Sequence, residues 1–203
     1  MKSDVARAVA AIRAGELVVI PTDTVYGLAC TAFREEPAQR LYALKGRDAS
    51  QPTALVAASV DFLLECVPEL RGRAGAAVRA ILPGPYTLVL PNPARRFAWL
   101  TGTRPDAIGV RVPDLDGPGM EVLQAAGALA ATSANASGGE DPCRVADISD
   151  AILSAVAAVV DVGGLPGTPS TVIDLTGPEP TVLRAGAGDE AGALERIRSA
   201  LVV

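Results

Sequence analysis

One lysine in this 203-residue chain occupies a position that suggests a role in chemistry. Lysine and arginine total 18, but only Lys2 and Lys45 are lysine. Lys45 stands in "LKGR", two residues before Arg47, where a predicted helix ends. A cation at a helix C-terminus contributes only about 0.3–1 kcal/mol through the helix dipole, and arginine would serve equally well. A compact ammonium suits contact with one phosphate or carboxylate oxygen, so we predict that Lys45 is a site residue.

Arg111 is a charged residue inside the apolar strand "AIGVRVP". A buried arginine is costly unless it is paired. Its partner is either a structural carboxylate of the protein or a carboxylate or phosphate of a substrate. Alternation along the strand places Arg111 on the same face as Gly109, which leaves room beside the guanidinium.

Two polar loops directly follow apolar strands. In "ATSANASG", Ser133 and Asn135 lie at a strand-to-loop transition, and in "IPTDTVYG", Thr22 and Asp23 follow the strand end. Taken alone, the first loop favours an ordinary turn, and the second is equally consistent with a turn or with a binding site. Small residues also allow backbone N–H groups to approach an anion, although no GxxxxGK[ST] motif occurs.

The chain contains no histidine, which excludes several kinds of catalysis. Catalysis by Ser-His-Asp or Cys-His groups, histidine acid-base chemistry and histidine-containing zinc sites are all ruled out. The three cysteines, Cys30, Cys66 and Cys143, form no CxxC motif and are an odd number, so we expect free thiols in a reducing compartment. Any chemistry must therefore use lysine, arginine, carboxylate, hydroxyl, amide or backbone groups.

The composition predicts a cytoplasmic protein with an aliphatic core. Hydrophobic residues make up 49% of the chain and aromatic residues only 3%. The net charge of −5 argues against a tight, non-specific nucleic-acid binder. The first residues do not resemble a signal peptide, and no apolar run reaches membrane-spanning length, so we expect no contact with a membrane.

Strand and helix patterns alternate along most of the chain, which predicts an α/β fold. The pattern predicts a short strand after "TDTVYG" and a helix that begins at Glu35 and ends at Lys45. The longest irregular segment, residues 92–105, is predicted to be a mobile loop. The remaining predicted strands span 17–21, 53–58, 86–91, 107–113, 128–135, 157–164, 170–175 and 181–186. The remaining predicted helices span 5–14 (capped by Ser3 and Asp4), 69–82, 116–126, 145–157 and 189–202.

The polar segments at the ends of these elements together resemble the YrdC family of threonylcarbamoyl-adenylate synthases. The resemblance spans nearly the whole chain, and its motifs occur in the family's order. They are "PTDTVYGL" (21–28), "KGR" (45–47), "LPGPYTLVL" (82–90), "VRVP" (110–113), "TSAN" (132–135), "PSTVIDL" (169–175) and "VLRAG" (182–186).

The resemblance implies a fold and a set of residue roles. The fold would be a twisted mixed sheet, largely parallel and partly antiparallel, with flanking helices around a deep concave cavity. Lys45 and Arg47 would be catalytic residues that also bind ATP. The other expected ATP-binding residues are Ser133, Asn135 and Arg184. The expected threonine-binding residues are Thr22, Arg111 and Ser170, with the threonine carboxylate on Arg111 and the threonine hydroxyl read by Thr22 and Ser170.

The same resemblance implies the reaction and its partners. Family members combine L-threonine, bicarbonate and ATP into threonylcarbamoyl-AMP and release pyrophosphate. Mg²⁺ is expected on the nucleotide, with no metal ligands from the protein. The product would pass to transfer proteins that modify adenosine 37 of tRNA, so direct tRNA binding is expected to be weak or indirect.

Three features depart from the family pattern. "GRDASQPTALV" lacks the usual first proline and leucine after the K-x-R motif, Val56 aligns with a histidine of some members, and Pro169 replaces a common acidic residue. Little sequence follows "LRAG", so we expect one YrdC-like domain over residues 1–203, ending in a helix over 189–203, without a second C-terminal domain.

Two other functions remain open at the level of sequence. One is a carbamoyl-transfer module like that of hydrogenase maturation proteins, but this chain has none of their zinc-finger or acylphosphatase segments. The other is a non-catalytic RNA-binding or ribosome-maturation factor of the same fold. The acidic net charge and the intact K-x-R and S-x-N motifs count against this second alternative.

Overall fold

The computed structural model describes residues 2–48 and 50–201. A nine-stranded sheet crosses these residues in the order β7-β1-β2-β6-β3-β5-β4-β8-β9. The strands, named in chain order, are β1 (Val18–Pro21), β2 (Tyr26–Thr31), β3 (Ala54–Val56), β4 (Tyr86–Pro91), β5 (Ala107–Arg111), β6 (Leu129–Ser133), β7 (Ala158–Val159), β8 (Thr171–Asp174) and β9 (Thr181–Arg184).

The sheet is mixed, as predicted, but it is not largely parallel. Among the described residues, five strand pairings are antiparallel and three are parallel. The prediction overlooked short connections that favour hairpins, because a turn of a few residues cannot provide the crossover that parallel strands need. The turn 22–25, for example, joins β1 to an antiparallel β2.

The helices largely follow the sequence pattern, with differences at short elements. The chain forms α1 (Lys2–Ala14), α2 (Glu35–Lys45), α3 (Val60–Cys66), α4 (Arg73–Ile81), α5 (Gly117–Ala126), α6 (Asp150–Ala155) and α7 (Glu190–Leu201). α7 agrees with the predicted terminal helix, whose last two residues, 202 and 203, lie outside the described part of the chain.

Several of the predicted helix boundaries were wrong. α3 was not predicted, although Ser59 caps it by accepting a hydrogen bond from the Phe62 amide at 3.2 Å. The predicted helix 69–82 is a 3₁₀ turn followed by α4, and the predicted helix 145–157 is a 3₁₀ turn followed by α6. α1 already includes Ser3 and Asp4, so these residues do not precede it as caps. Single turns carry too little periodicity to separate them from adjoining helices.

The two faces of the sheet are covered differently. One face packs against α2, α3, α4, α6 and α7, and its strand residues include Leu28, Leu88 and Val110. On the other face, α1 and α5 cover the β1, β2 and β6 side, where Val18 and Ile20 are buried. The rest of this second face is concave and open. It contains alternate residues of β4 and β5, and this part of the sheet carries the polar side chains described below.

The long irregular segment 92–105 packs against the rest of the protein. Leu100 is buried in a 3₁₀ turn, and the Trp99 indole N–H donates to the Ala32 carbonyl at 3.0 Å. Asn92, at the start of the segment, is fully buried. Its Nδ2 donates to the Arg96 carbonyl and to the Pro105 carbonyl, and so links the start of the segment to its end. None of the helices in the described ranges combines the length and apolar character needed to cross a membrane.

Candidate active site

The open half of the second sheet face forms a cavity of about 520 Å³. Its floor consists of residues from β2, β3, β4, β5, β6, β8 and β9. All eight residues singled out by the sequence line this cavity: Thr22, Lys45, Arg47, Arg111, Ser133, Asn135, Ser170 and Arg184. Segments far apart in the chain are thus brought together, while the role of each residue remains a prediction.

The cavity is strongly biased towards positive charge, although the chain is acidic overall. Its described lining contains five cationic side chains and one carboxylate, while the chain carries a net charge of −5. Two of these cations, Arg104 and Arg111, are paired with Asp174 and Asp23 outside the lining, so the surplus that attracts anionic ligands comes from the other three. The cations are Lys45, Arg47, Arg104, Arg111 and Arg184, and the carboxylate is Asp141.

Lys45 is delivered to the cavity by the last turn of α2. Gly46 adopts the left-handed conformation (φ 61°) that ends the helix, and its N–H bonds to the Ala43 carbonyl at 3.1 Å. The Lys45 side chain then runs inward until the residue is only 4% exposed. Burial lowers the pKa of Lys45 to about 8; the nearby Arg47 charge adds to this decrease, and Asp141 opposes it.

The Lys45 ammonium joins α2 to the loop that follows β6. Nζ donates to the Ser133 carbonyl, to the Asn135 carbonyl at 2.6 Å and to Asn135 Oδ1 at 2.9 Å. An ammonium has three hydrogens, and three acceptors surround it here. A planar guanidinium could not reproduce this arrangement, which explains why lysine stands at this position.

Asn135 organises the loop beyond β6. Its Oδ1 also accepts a hydrogen bond from the Ser133 hydroxyl at 2.8 Å. Its Nδ2 donates to the Gly139 carbonyl at 2.6 Å and to Asp141 Oδ1 at 3.2 Å. The loop is therefore held by its own side chains against the cavity wall. Asp141 had not been singled out from the sequence, where it appears only as a polar loop residue.

Arg47 is fixed at the rim of the cavity by three contacts. Nε donates to Gln51 Oε1 at 2.9 Å, Nη1 to Thr132 Oγ1 at 3.2 Å and Nη2 to the Pro52 carbonyl at 2.7 Å. None of these partners is ionic, so the guanidinium charge is not neutralised by an ion pair among the described residues.

Arg111 is paired with a structural carboxylate and also lines the cavity, so the two partners that the sequence left open do not exclude each other. Its Nη2 donates to the Asp23 carboxylate and to Thr24 Oγ1 at 2.7 Å, so a structural carboxylate is present. The other oxygen of Asp23 accepts from the Asp114 amide at 3.1 Å. Arg111 nevertheless lines the cavity, and its accessible Nη1 has no hydrogen-bond partner among the described residues. The two N–H donors of Nη1 are therefore available to a ligand, whereas Nε is enclosed by the protein.

Thr22 lines the cavity, but its hydroxyl is already occupied. Its Oγ1 donates to the Val25 carbonyl at 2.7 Å and accepts from the Thr24 and Val25 amides, both at 3.2 Å. The hydroxyl thus closes the turn between β1 and β2. Among the described residues, its side-chain methyl lies near Gly27, on the next strand.

Ser170 lies beside two other cavity residues. Its Oγ is 2.9 Å from Thr87 Oγ1, and Arg184 donates to its carbonyl at 2.8 Å through Nη2. Thr87 lies in the motif "LPGPYTLVL" but was given no role, because a threonine in an alternating strand gives no signal of its own. The two departures Val56 and Pro169 also line the cavity.

Comparison with known proteins identifies the family. The family model Sua5/YciO/YrdC, described as "Telomere recombination", matches residues 10–186. A Mycobacterium tuberculosis protein named as a putative threonylcarbamoyl-AMP synthase is 35% identical over 180 residues, which cover 88% of this chain and 82% of that protein. This chain belongs to the Sua5/YciO/YrdC family.

Solved structures of Sua5/YciO/YrdC members have the same fold. The Pyrococcus abyssi Sua5 complexed with L-threonine is 32% identical with a TM-score of 0.84, and the match covers 99% of this chain and 58% of that one. The Escherichia coli YciO is 26% identical with a TM-score of 0.82, over 96% of this chain and 94% of that one. This chain thus spans little more than half of the archaeal Sua5 and nearly all of YciO.

Proposed function

We propose that this chain is a threonylcarbamoyl-AMP synthase, which forms threonylcarbamoyl-AMP and pyrophosphate from L-threonine, bicarbonate and ATP. The observation that carries the proposal is the cavity itself. It gathers five cations and all eight residues that the family motifs mark, in a chain whose relatives bear this name. All three substrates carry carboxylate, carbonate or phosphate oxygens, which suit such a lining.

In this proposal ATP occupies the side of the cavity formed by α2, the loop after β6 and β9. Lys45 and Arg47 meet the phosphate oxygens, Ser133 and Asn135 shape the loop beside them, and Arg184 supplies a further cation. The three hydrogens of Lys45 already have protein acceptors, so a phosphate oxygen must take the place of one of them. Charge-assisted bonds to phosphate favour that exchange.

Threonine occupies the floor of the cavity near β4, β5 and β8. Nη1 of Arg111 is the donor left for the threonine carboxylate, because both hydrogens of Nη2 are used by Asp23 and Thr24 and Nε is enclosed by the protein. Two parallel bonds from Arg111, the arrangement first expected, would require the ligand to share Nη2 with Asp23. The Thr22 methyl and the Ser170 hydroxyl provide the remaining threonine contacts.

The reaction needs positioning and charge stabilisation more than a protein nucleophile. The threonine amine and bicarbonate give a carbamate and water, and a carbamate oxygen then attacks the α-phosphorus of ATP. The bond to the bridging oxygen breaks, and pyrophosphate leaves with its electron pair. Holding these anions together and stabilising the leaving charge lowers the barrier. We assign this task to Lys45 and Arg47, which both line the cavity.

Mg²⁺ fits this site as a companion of the nucleotide. Within residues 2–48 and 50–201 there is no group of three or more metal-binding side chains, and Asp141 is the one carboxylate in the described lining. We propose that the ion enters on the ATP phosphates, where it would neutralise charge on the leaving pyrophosphate, with Asp141 as the protein group available to its water shell.

We further propose that the product serves tRNA modification in the cytoplasm. The threonylcarbamoyl group would pass to a transfer protein acting on adenosine 37 of tRNA, with weak or indirect tRNA contact by this chain. The non-catalytic RNA-binding alternative is less well supported, because the cations described above are gathered inside a small-molecule cavity. It predicts RNA binding without turnover.

Pyrophosphate release tests the proposal. The purified chain with ATP and Mg²⁺ should release pyrophosphate only when threonine and bicarbonate are both present. Omission of either one is the control. No release under any condition, together with measurable RNA binding, would favour the non-catalytic alternative.

A further inference from the structure

Thr87 is a cavity residue to which neither the sequence motifs nor the proposed function gives a role. It lies on β4, with Tyr86 and Leu88 pointing into the core on the opposite face. We propose that Thr87, paired with Ser170, is a specificity-determining residue that binds the hydroxyl of the threonine substrate. This inference rests on the proposed function and deepens it.

The hydrogen-bond inventory of the Thr87–Ser170 pair leaves one donor free. The two hydroxyl oxygens are 2.9 Å apart, so one hydroxyl donates to the other. Ser170 Oγ also accepts from Arg184 Nη2 at 3.3 Å. The second hydroxyl hydrogen has no acceptor among the described residues, whichever residue carries it. The pair therefore presents one O–H donor, and its remaining lone pairs, to the cavity.

The hydroxyl of Thr22 was also expected to bind the hydroxyl of the substrate, but in this structure it has no free hydrogen for that contact. Thr22 Oγ1 donates its only hydrogen to the Val25 carbonyl and accepts from two backbone amides. Thr24 Oγ1 is bonded to Thr22 and to Arg111 Nη2. Both hydroxyls are committed to the turn, so recognition of a substrate hydroxyl falls to Thr87 and Ser170.

The position of Thr87 matches the size of the substrate. The antiparallel register pairs Val89 with Gly109 and Leu88 with Val110, so the next position along places Thr87 beside Arg111. Cross-strand neighbours of this kind have Cβ atoms about 4.5–5.5 Å apart. The threonine hydroxyl is three bonds from its carboxylate carbon. A threonine whose carboxylate is on Arg111 can therefore place its hydroxyl at Thr87.

Gly109 keeps the space between these two groups open. A Cβ built on Gly109 would lie 3.8 Å from the Thr87 methyl, so any side chain there would occupy the gap. The ligand that fits has a carboxylate at one end and a hydroxyl close by. The chemical class is a β-hydroxy-α-amino acid.

Substitution of Thr87 by valine tests the assignment, because it removes the hydroxyl and keeps the shape. The readout is the ratio of kcat/KM for threonine to that for 2-aminobutyrate, which is threonine without its hydroxyl. In Thr87→Val we expect kcat/KM for threonine to fall about 10–100-fold, because the substrate hydroxyl loses its partner. We expect kcat/KM for 2-aminobutyrate to stay unchanged, so the ratio of the two kcat/KM values should fall by the same factor.

Two controls keep the test decisive. Thr87→Ser retains the hydroxyl and should keep the ratio near that of the unsubstituted protein, even if its stability falls. Thr181→Val changes an exposed threonine on β9 outside the cavity lining and should change kcat/KM for neither amino acid. Equal losses for both amino acids in Thr87→Val, or a collapsed ratio in Thr87→Ser, would overturn the assignment.

Direct binding separates this inference from the proposed reaction. Calorimetric titration of threonine and of 2-aminobutyrate needs no turnover. If the chain releases no pyrophosphate but binds threonine more tightly than 2-aminobutyrate, and Thr87→Val loses that preference, the proposed reaction fails and the role of Thr87 stands. Equal binding of the two amino acids by the unsubstituted chain would overturn the role of Thr87.

Discussion

Arg111 donates through Nη2 to the carboxylate of Asp23, and the two side chains are only 11% and 7% exposed. Asp23 is not part of the cavity lining, while Nη1 of the same guanidinium is accessible and has no partner among the described residues. Arg111 is thus tied to the protein through one nitrogen and available to a ligand through another. Structural and binding roles, which the sequence presented as alternatives, coexist in one side chain.

Substitution of Arg111 by lysine should separate these two roles. Lysine keeps a positive charge near Asp23 but loses the Nη1 donors, so we expect threonine binding to weaken by about 1.5–3 kcal/mol, the range for a hydrogen bond to a charged group. ATP binding measured alone by calorimetry should change little. Arg111→Ala is a poorer test, because removing one partner of a buried pair costs about 3–5 kcal/mol of stability. Unchanged threonine affinity in Arg111→Lys would contradict the carboxylate-binding role.

Removal of the Lys45 side chain should affect both turnover and stability. Lys45→Ala leaves the Ser133 and Asn135 carbonyls without their donor, at a cost of about 1–3 kcal/mol. Product formation should fall on the order of 10²–10³-fold, as when one preorganised donor to a developing charge is lost. Lys45→Arg should not restore activity, since a planar fork cannot occupy the site of an ammonium. Lys2→Ala is the matched control.

A rise in pH should weaken ATP binding earlier than expected for an ordinary lysine. Burial lowers the pKa of Lys45 to about 8 from its usual 10.5, so the charged form is lost as pH rises through that value. Only the ammonium attracts phosphate, and affinity measured by calorimetry without threonine should therefore decline between pH 7 and 9. Lys45→Ala should bind ATP weakly at every pH and lose this decline. An affinity that stays constant up to pH 9 would contradict the assignment.

A methyl group at position 109 should impair threonine use without disturbing the fold. In Gly109→Ala the new Cβ would meet the Ala54 Cα and the Thr87 methyl at 3.8 Å, an ordinary contact distance. We expect a melting temperature within a few degrees of the unsubstituted protein, since Gly109 is buried but the new Cβ meets its neighbours only at ordinary contact distances. The KM for threonine should rise while the KM for ATP changes little. Equal rises in both would show that the methyl disturbs the whole cavity.

The sequence predicted the α/β class and a mixed sheet, and the eight candidate residues line one cavity, although their roles stay predictions. Lys45 stood out because lysine is rare in this chain, and its burial against three oxygens is the physical reason for that choice. The strand directions were harder, because local patterns do not show which neighbour a strand pairs with. The short helix at Val60–Cys66 was missed, although Ser59 is a recognisable cap.

The residues that sequence reasoning missed depend on tertiary structure. Thr87 alternates with core residues as any strand residue does, and only the partial cover by α1 and α5 makes its face a cavity. Asp23 was noticed as a polar turn residue, but its pairing with Arg111 joins positions 88 residues apart. Arg104 lies in an irregular segment that gave no signal.

The synthase proposal is tested most directly by following the bicarbonate carbon into the product. The chain is incubated with ATP, Mg²⁺, threonine and ¹³C-bicarbonate, and the nucleotides are analysed by mass spectrometry. We predict a labelled adduct of AMP, carbonate carbon and threonine, formed together with pyrophosphate and absent in Lys45→Ala. ATP left intact, or AMP formed without the labelled threonine adduct, would contradict the proposal that this cavity makes threonylcarbamoyl-AMP.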